Sequence, residues 1–219
     1  MSVLDTPIKQ YYASRASEYD EVYEKPERQA DIVALRAWLE SLFVGRRVLD
    51  IACGTGYWTQ SIVQVAAELV GVDSADSTLE IARSRIRQPK VSFVVGDAYA
   101  LAGDLGVFDA AFLGFWLSHV PRSRRRAFVE HVGSRLEPGA RIVFVDNCYV
   151  EGSNHPISRY DDDGNSYQTR SLANGSMHEV MKNFPSESQL HEMIAGIGCN
   201  ALYKKLDYYY GFCYENVSP

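Results

Sequence analysis

The residues best placed to do chemistry lie in one run, Asp50-Ile51-Ala52-Cys53-Gly54-Thr55-Gly56-Tyr57-Trp58-Thr59. Glycines with no Cβ in the way let a backbone turn tightly and approach a ligand closely. A dinucleotide site would carry a third glycine, G-x-G-x-x-G, after its first strand. Here Thr59 takes that place and an acid, Asp50, precedes the glycines, which speaks against a nicotinamide oxidoreductase. Two further carboxylates follow at strand ends. Asp73 closes Glu68-Leu69-Val70-Gly71-Val72-Asp73, at the spacing where an acid meets both hydroxyls of a ribose. The alternative for Asp73 is a helix cap, but Ser74 or Asp76 can cap, leaving Asp73 free. Asp97, in Gly96-Asp97-Ala98, can accept from an adenine amino group while a backbone N–H meets a ring nitrogen. His119 follows Phe115 and Trp116, and its ordinary pKa near neutrality suits a general base. Its alternative is ordering its own loop.

These residues need strands that end beside one another. Apolar runs predict strands at 47–51, 68–73, 91–95, 108–114 and 141–146, separated by helices at about 57–67, 76–87 and 122–136. The fourth run is apolar beyond Asp109, hence central. Ligands in an open α/β sheet sit at the carboxyl ends of its strands. Two helices, 8–20 and 26–43, precede the first strand; Pro26 suits a first helical turn. Residues 150–170 are polar. Their Asp161-Asp162-Asp163-Gly164-Asn165 fails as a calcium loop, because Arg159 and Arg170 would fill its first and last positions. Asn174-Gly175 predicts a hairpin over 169–182. Ser186 and Gln189 form a capping box for a helix to about Ile197, and strands at 201–205 and 208–214 complete the chain. We expect a single α/β domain over 1–219, with 8–43 as lid and cap and 150–182 as an insertion over the site.

Taken in order, Asp50 with Gly54-Thr55-Gly56, Asp73, Gly96-Asp97-Ala98, the strand-four exit and Pro138-Gly139 resemble the class I methyltransferases that use S-adenosyl-L-methionine, over about residues 8–215. Their first motif is usually (D/E)-x-G-x-G-x-G; Ala52 replaces its first glycine. A closer set is Tyr12-x-x-Arg15-Ala16-x-x-Tyr19-Asp20, Gly54-Thr55-Gly56-Tyr57-Trp58-Thr59 and Trp116-Leu117-Ser118-His119-Val120-Pro121. It is similar to small bacterial methyltransferases of specialised metabolism, such as the type that esterifies a phosphonate in dehydrophos-type antibiotic biosynthesis. Residues 150–168 depart from that pattern. The resemblance implies a Rossmann-like sheet of seven mostly parallel strands, helices on both faces and a C-terminal antiparallel strand. It implies methyl transfer from S-adenosyl-L-methionine, leaving S-adenosyl-L-homocysteine. Asp50, Ala52, Gly54, Gly56, Trp58, Asp73, Ser74, Asp97, Ala98 and Phe115 would hold that cofactor, with Tyr12, Arg15 and Tyr19 as a lid. Trp116, Arg170 and Tyr11 would meet the acceptor, and His119 would be the base.

The acceptor is expected to be a small molecule methylated on oxygen: a carboxylate, phosphonate or hydroxyl. N- or S-methylation, or cofactor binding without turnover, are the alternatives. An ionised acceptor needs no base but needs a cation, for which Arg170 is the candidate. Net charge is −6, against a general nucleic-acid or anionic-membrane partner. Arg122, Arg124, Arg125 and Arg126 point several ways around a helix and read as solvation. No metal is expected; Asp146 and Asn147 make only a faint case for one. There is no secretion signal, no apolar run approaching the roughly 20 residues that span a bilayer, and no C-x-x-C pair among four cysteines. These point to a cytoplasmic monomer or homodimer with free thiols.

Overall fold

The computed structural model describes residues 16–172 and 175–217, the side chains of 16–19 excepted. Five strands alternate with helices as the apolar runs dictate: β1 (Arg47–Ile51), β2 (Glu68–Asp73), β3 (Val91–Val95), β4 (Ala110–Gly114) and β5 (Arg141–Asn147). The helices are α1 (Gln29–Phe43), α2 (Thr59–Val65), α3 (Asp76–Arg85), α4 (Arg125–Gly133) and α5 (Glu187–Met193). Three strands come between β5 and α5: β6 (Ile157–Tyr160), β7 (Ser166–Ser171) and β8 (Met177–Met181). Then follow β9 (Gly198–Lys205) and β10 (Tyr209–Asn216).

The main sheet has seven strands in the order β3-β2-β1-β4-β5-β10-β9. Neighbours from β3 through β5 pair in parallel, and β10 lies antiparallel between β5 and β9. The chain winds outward from β1 to β3, then returns to lay β4 on the other side of β1. This reversal leaves a crevice at the carboxyl ends of β1 and β4, where an open α/β sheet takes ligands. Both faces are apolar. Leu35, Leu39, Phe43 and Ile62 cover one, while Phe128, Val129, Val132 and Leu190 cover the other. Among the described residues no helix is long and apolar enough to cross a membrane.

Several boundaries moved. Of the helix expected over 8–20, the described part is a 3-10 helix at Ala16–Tyr23, and Pro26–Arg28 forms another before α1. β4 begins at Ala110 because the Asp109 carboxylate already accepts the Arg47 amide at 2.9 Å. The expected 122–136 helix opens as a 3-10 turn, Arg122–Arg124. Its four arginines disperse: Arg125 is buried, and Arg126 pairs with Glu130 at 2.7 Å. For residues 150–170 the sequence predicts a polar segment and no strand before the hairpin. Instead β6 joins β7 and β8 in a separate sheet, ordered β6-β7-β8. The acidic run is its first turn, where Asp161 accepts from the Asn165 amide and the Tyr167 hydroxyl at 2.8 and 3.0 Å. The capping box of α5 is present, with Ser186 Oγ accepting from Gln189 N.

Candidate active site

The β1–α2 loop needs three left-handed residues in a row of five, Ala52 (φ 56°), Gly54 (φ 55°) and Gly56 (φ 74°). A Cβ at Gly56 would stand 3.2 Å from that of Ala82, whereas Gly54 has open space above it. The first glycine of the family pattern is thus a conformational demand that Ala52 meets under strain. Asp50 does not face this space. It is buried and accepts from Thr59 Oγ1 at 2.6 Å, tying the loop to α2, and burial pushes its carboxyl up to about 7.

Asp73 lies half-buried at the end of β2. Its Oδ2 accepts the Gly54 amide at 2.9 Å, so the second acid orders the first motif's loop. Its Oδ1 accepts from the Ala75 amide at 2.9 Å and Thr78 Oγ1 at 3.2 Å. The expectation that Ser74 or Asp76 would cap α3 fails: Ala75 holds the cap position with no side-chain cap bond, and Asp73 accepts the Ala75 amide just ahead of the helix. With the Ser74 amide these donors engage the whole carboxylate, which thereby joins the loop after β1 to the start of α3. Asp97, at the next strand end, orders its own turn by accepting the Tyr99 amide at 2.9 Å, and Ala98 beside it is buried.

Aromatic rings wall the crevice. Phe115 leaves β4 in a left-handed conformation (φ 61°) that turns its ring away from the strand's path. It stacks on Trp58 at 5.7 Å and meets the edges of Tyr23 and Tyr209 at 5.4 and 5.5 Å. The buried Trp58 Nε1 has no acceptor among the described residues. Asp20 fastens the 3-10 segment to this loop, accepting from Thr55 Oγ1 at 2.7 Å and pairing with Arg85 of α3. Tyr11, Tyr12, Arg15 and the Tyr19 side chain lie outside the described residues.

Beyond Phe115 is a cavity of about 110 Å³ whose lining includes Lys25, Arg28, Arg170, Lys182, Phe115 and Tyr209, and no Asp or Glu among the described residues. Lys182, just past β8, is buried and donates to Asp146 Oδ1 and Ser118 Oγ, both at 2.7 Å. Burial lowers its amine from the ordinary value against the opposing pull of Asp146. Arg170 also lines the cavity, donating to Gln168 Oε1 at 2.7 Å.

His119 and Trp116 do not line it. His119 Nδ1 lies 2.6 Å from the Met181 carbonyl and must donate to it, because a carbonyl only accepts. Burial, followed by the charges of Lys182 and Arg170, holds its pKa well below 6.5, so the ring is neutral. The base role gives way to a structural one: His119 pins β8 next to Lys182. Trp116 packs on Tyr99 and His119, each at 6.2 Å, rather than on this cavity. Asp146 is held by Lys182 at 2.7 Å and by the Ser118 amide at 3.0 Å. Sequence reasoning missed Lys182, Arg28 and Tyr209. The available signal was Asp146, a carboxylate ending an apolar strand.

A family profile described as a methyltransferase domain matches residues 48–139, from β1 to the turn before β5. A DhpI–SAH complex superposes with a TM-score of 0.79 at 26% identity, covering 99% of this chain and 98% of that one. A DhpI–SAM–HEP complex gives 0.77 at 28% identity, covering 97% and 99%.

The fold is that of the class I S-adenosylmethionine-dependent methyltransferases.

The PH0226 protein of Pyrococcus horikoshii OT3 shares the fold at 21% identity and a TM-score of 0.71, over 91% of this chain and 98% of that one. Curated relatives match only in part. The demethylmenaquinone methyltransferase of Lactococcus lactis subsp. lactis (strain IL1403) is 29% identical over 111 residues, 48% of this chain and 43% of the relative. That of Clavibacter sepedonicus is 34% identical over 103 residues, 47% and 41%. The chain thus spans less than half the length of either. The methyltransferase cofactor fits the residues at the crevice: a loop already left-handed at Ala52, Gly54 and Gly56, open space at Gly54, and an indole N–H on Trp58 with no acceptor among the described residues.

Proposed function

We propose that this protein transfers a methyl group from S-adenosyl-L-methionine to an anionic oxygen of a small acceptor, a carboxylate or phosphonate, in a cytoplasmic reaction of specialised metabolism. One observation carries the acceptor class. Four cationic side chains, Lys25, Arg28, Arg170 and Lys182, converge on the cavity behind Phe115, with no carboxylate among the described lining residues. An isolated cation costs several kcal/mol to bury, and an anionic ligand offsets that cost. The quinone chemistry in the relatives' names draws less support, because the family profile ends at residue 139, before every strand that supplies Arg170 and Lys182.

The cofactor supplies an electrophilic methyl and a neutral thioether leaving group. An ionised acceptor oxygen then needs alignment and a dry site, not a base. Phe115, stacked on Trp58 and flanked by Tyr23, shields the boundary between the crevice and the cavity from water. Lys182, with its Nζ 5.9 Å from the Phe115 ring centroid, holds the acceptor's charge at that boundary, and Arg170 adds a second donor. Asp146 and Ser118 fix the direction of the Lys182 amine, while His119 holds β8. Asp73 takes the ribose and Asp97 the adenine, at the ends of β2 and β3.

The test is transfer of labelled methyl from S-adenosylmethionine to a panel of carboxylates, phosphonates, phenols and amines. Methyl esters from the anionic members, with acceptor KM raised at least tenfold in Lys182→Met and Arg170→Ala, are expected. Products from amines or phenols alone would reject the acceptor class. Binding of S-adenosylhomocysteine with no product from any class would favour a binding protein without turnover.

A further inference from the structure

Resting on that reading, we propose that the acceptor carries two anionic groups, one beside Lys182 and Arg170 and the other held by Arg28 and Lys25. The cations reach the cavity from two separate parts of the chain. Lys182 and Arg170 belong to the β7–β8 hairpin; Lys25 and Arg28 belong to the turn just before α1. Two rings stand between the pairs. Lys182 Nζ is 5.9 Å from the Phe115 centroid, Phe115 is 5.5 Å from Tyr209, and the Arg28 guanidinium carbon is 5.6 Å from the Tyr209 centroid.

The two pairs also differ in how they are answered. Lys182 has Asp146. Arg28 is only 5% exposed, yet its recorded acceptors are neutral: the Ser153 carbonyl at 3.1 Å, Ser153 Oγ at 2.9 Å and a long contact of 3.5 Å to the Tyr209 hydroxyl. Its buried Nε has no acceptor among the described residues. Lys25 likewise donates to the Ser153 carbonyl, at 3.0 Å. Asp31, one turn further along, directs its carboxylate to the Tyr208 amide at 2.7 Å and does not line the cavity. A buried guanidinium facing neutral oxygens is a poor ground state and a strong bidentate anion site. One anion at the methyl-accepting end would leave this second site unanswered. A short bis-anion, such as a dicarboxylate or a carboxyalkyl phosphonate, answers both.

The test titrates the protein saturated with S-adenosylhomocysteine against methylphosphonate, with one anionic group, and 3-phosphonopropionate, with two, by calorimetry. The wild type is expected to bind the bis-anion at least tenfold more tightly. Arg28→Met should bring the ratio close to one by weakening the bis-anion selectively. Equal affinities in the wild type would overturn the proposal while leaving the anionic-acceptor reading intact, and binding of neither probe would overturn both. If Arg28→Met weakened both probes alike, Arg28 would be a pin for the 153 loop and the second site would be rejected. Should that variant fail to fold, Lys25→Met serves: at least a threefold drop in the ratio supports the site, and an unchanged ratio rejects it.

Discussion

Ala52 stands in a conformation that suits glycine, with φ at 56°. A left-handed residue with a Cβ costs about 1–2 kcal/mol, part of which glycine returns as unfolded-chain entropy. We therefore expect Ala52→Gly to stabilise the fold by about 0.5–1 kcal/mol, measurable as a higher urea midpoint. A lower midpoint would mean that the loop is not held left-handed at this residue. Asp50 makes a prediction in pH. Its ordinary value is 3.8, and burial raises it to about 7. Between those values the folded chain keeps a proton that the unfolded chain has lost, so stability from this group falls as pH rises through the window. His119, its pKa lowered in the fold, has the opposite sign and weakens the protein as pH drops below 6.5. Comparing Asp50→Asn with the parent isolates the carboxyl. The variant's advantage should grow from pH 5 to pH 7 by up to about 1.4 kcal/mol per pH unit. A flat difference would show Asp50 charged throughout.

Among the described side chains, Asp20 is the polar tie of the 3-10 segment before α1, to Thr55 of the cofactor loop and to Arg85 of α3, while Tyr23 stacks on Tyr57. Asp20→Ala should release it, and chymotrypsin should then cut after Tyr23 several-fold faster; an unchanged rate would mean that the aromatic packing of Tyr23 suffices. How far the elements were legible depended on how local their causes are. Val48-Leu49, Leu69-Val70 and Ile142-Val143 are apolar on both faces and declare central strands outright. The glycines and strand-end acids then mark the crevice, because strand ends and tight turns are set by neighbours in sequence. The cavity behind Phe115 was less legible. Arg170 could be guessed as a cation, but Lys182 acquires its meaning from Asp146 and Ser118, and Arg28 from Tyr209 and Ser153, all far away in the chain. His119 misled for the same reason. Its intrinsic pKa suggested a base, and burial against the β8 carbonyl made it a neutral strut. β6 was invisible because its four residues are mostly exposed and carry no apolar alternation.

As a whole, the molecule is one seven-stranded sheet whose crevice is closed by segments from both sides of β1–β5: the turn before α1 and the β6–β8 sheet. Ligand binding should therefore stabilise the entire fold. At a concentration one hundred times its Kd, S-adenosylhomocysteine should add about 2.7 kcal/mol, raising Tm by roughly 5–11 °C for a chain of this size. Asp73→Ala should abolish the shift, and a shift retained in that variant would remove Asp73 from the binding site. The placement of β10 has a separate consequence. It comes after every other described strand, yet it fills the gap between β5 and β9. On a ribosome adding roughly 5–20 residues per second, β1 to β5 can assemble while β9 emerges with no neighbour to pair with. Until β10 follows, Ile142, Phe144 and Tyr203 present an open edge to water and to other nascent chains, so the interval between the making of β9 and of β10 is when this sheet most needs a chaperone.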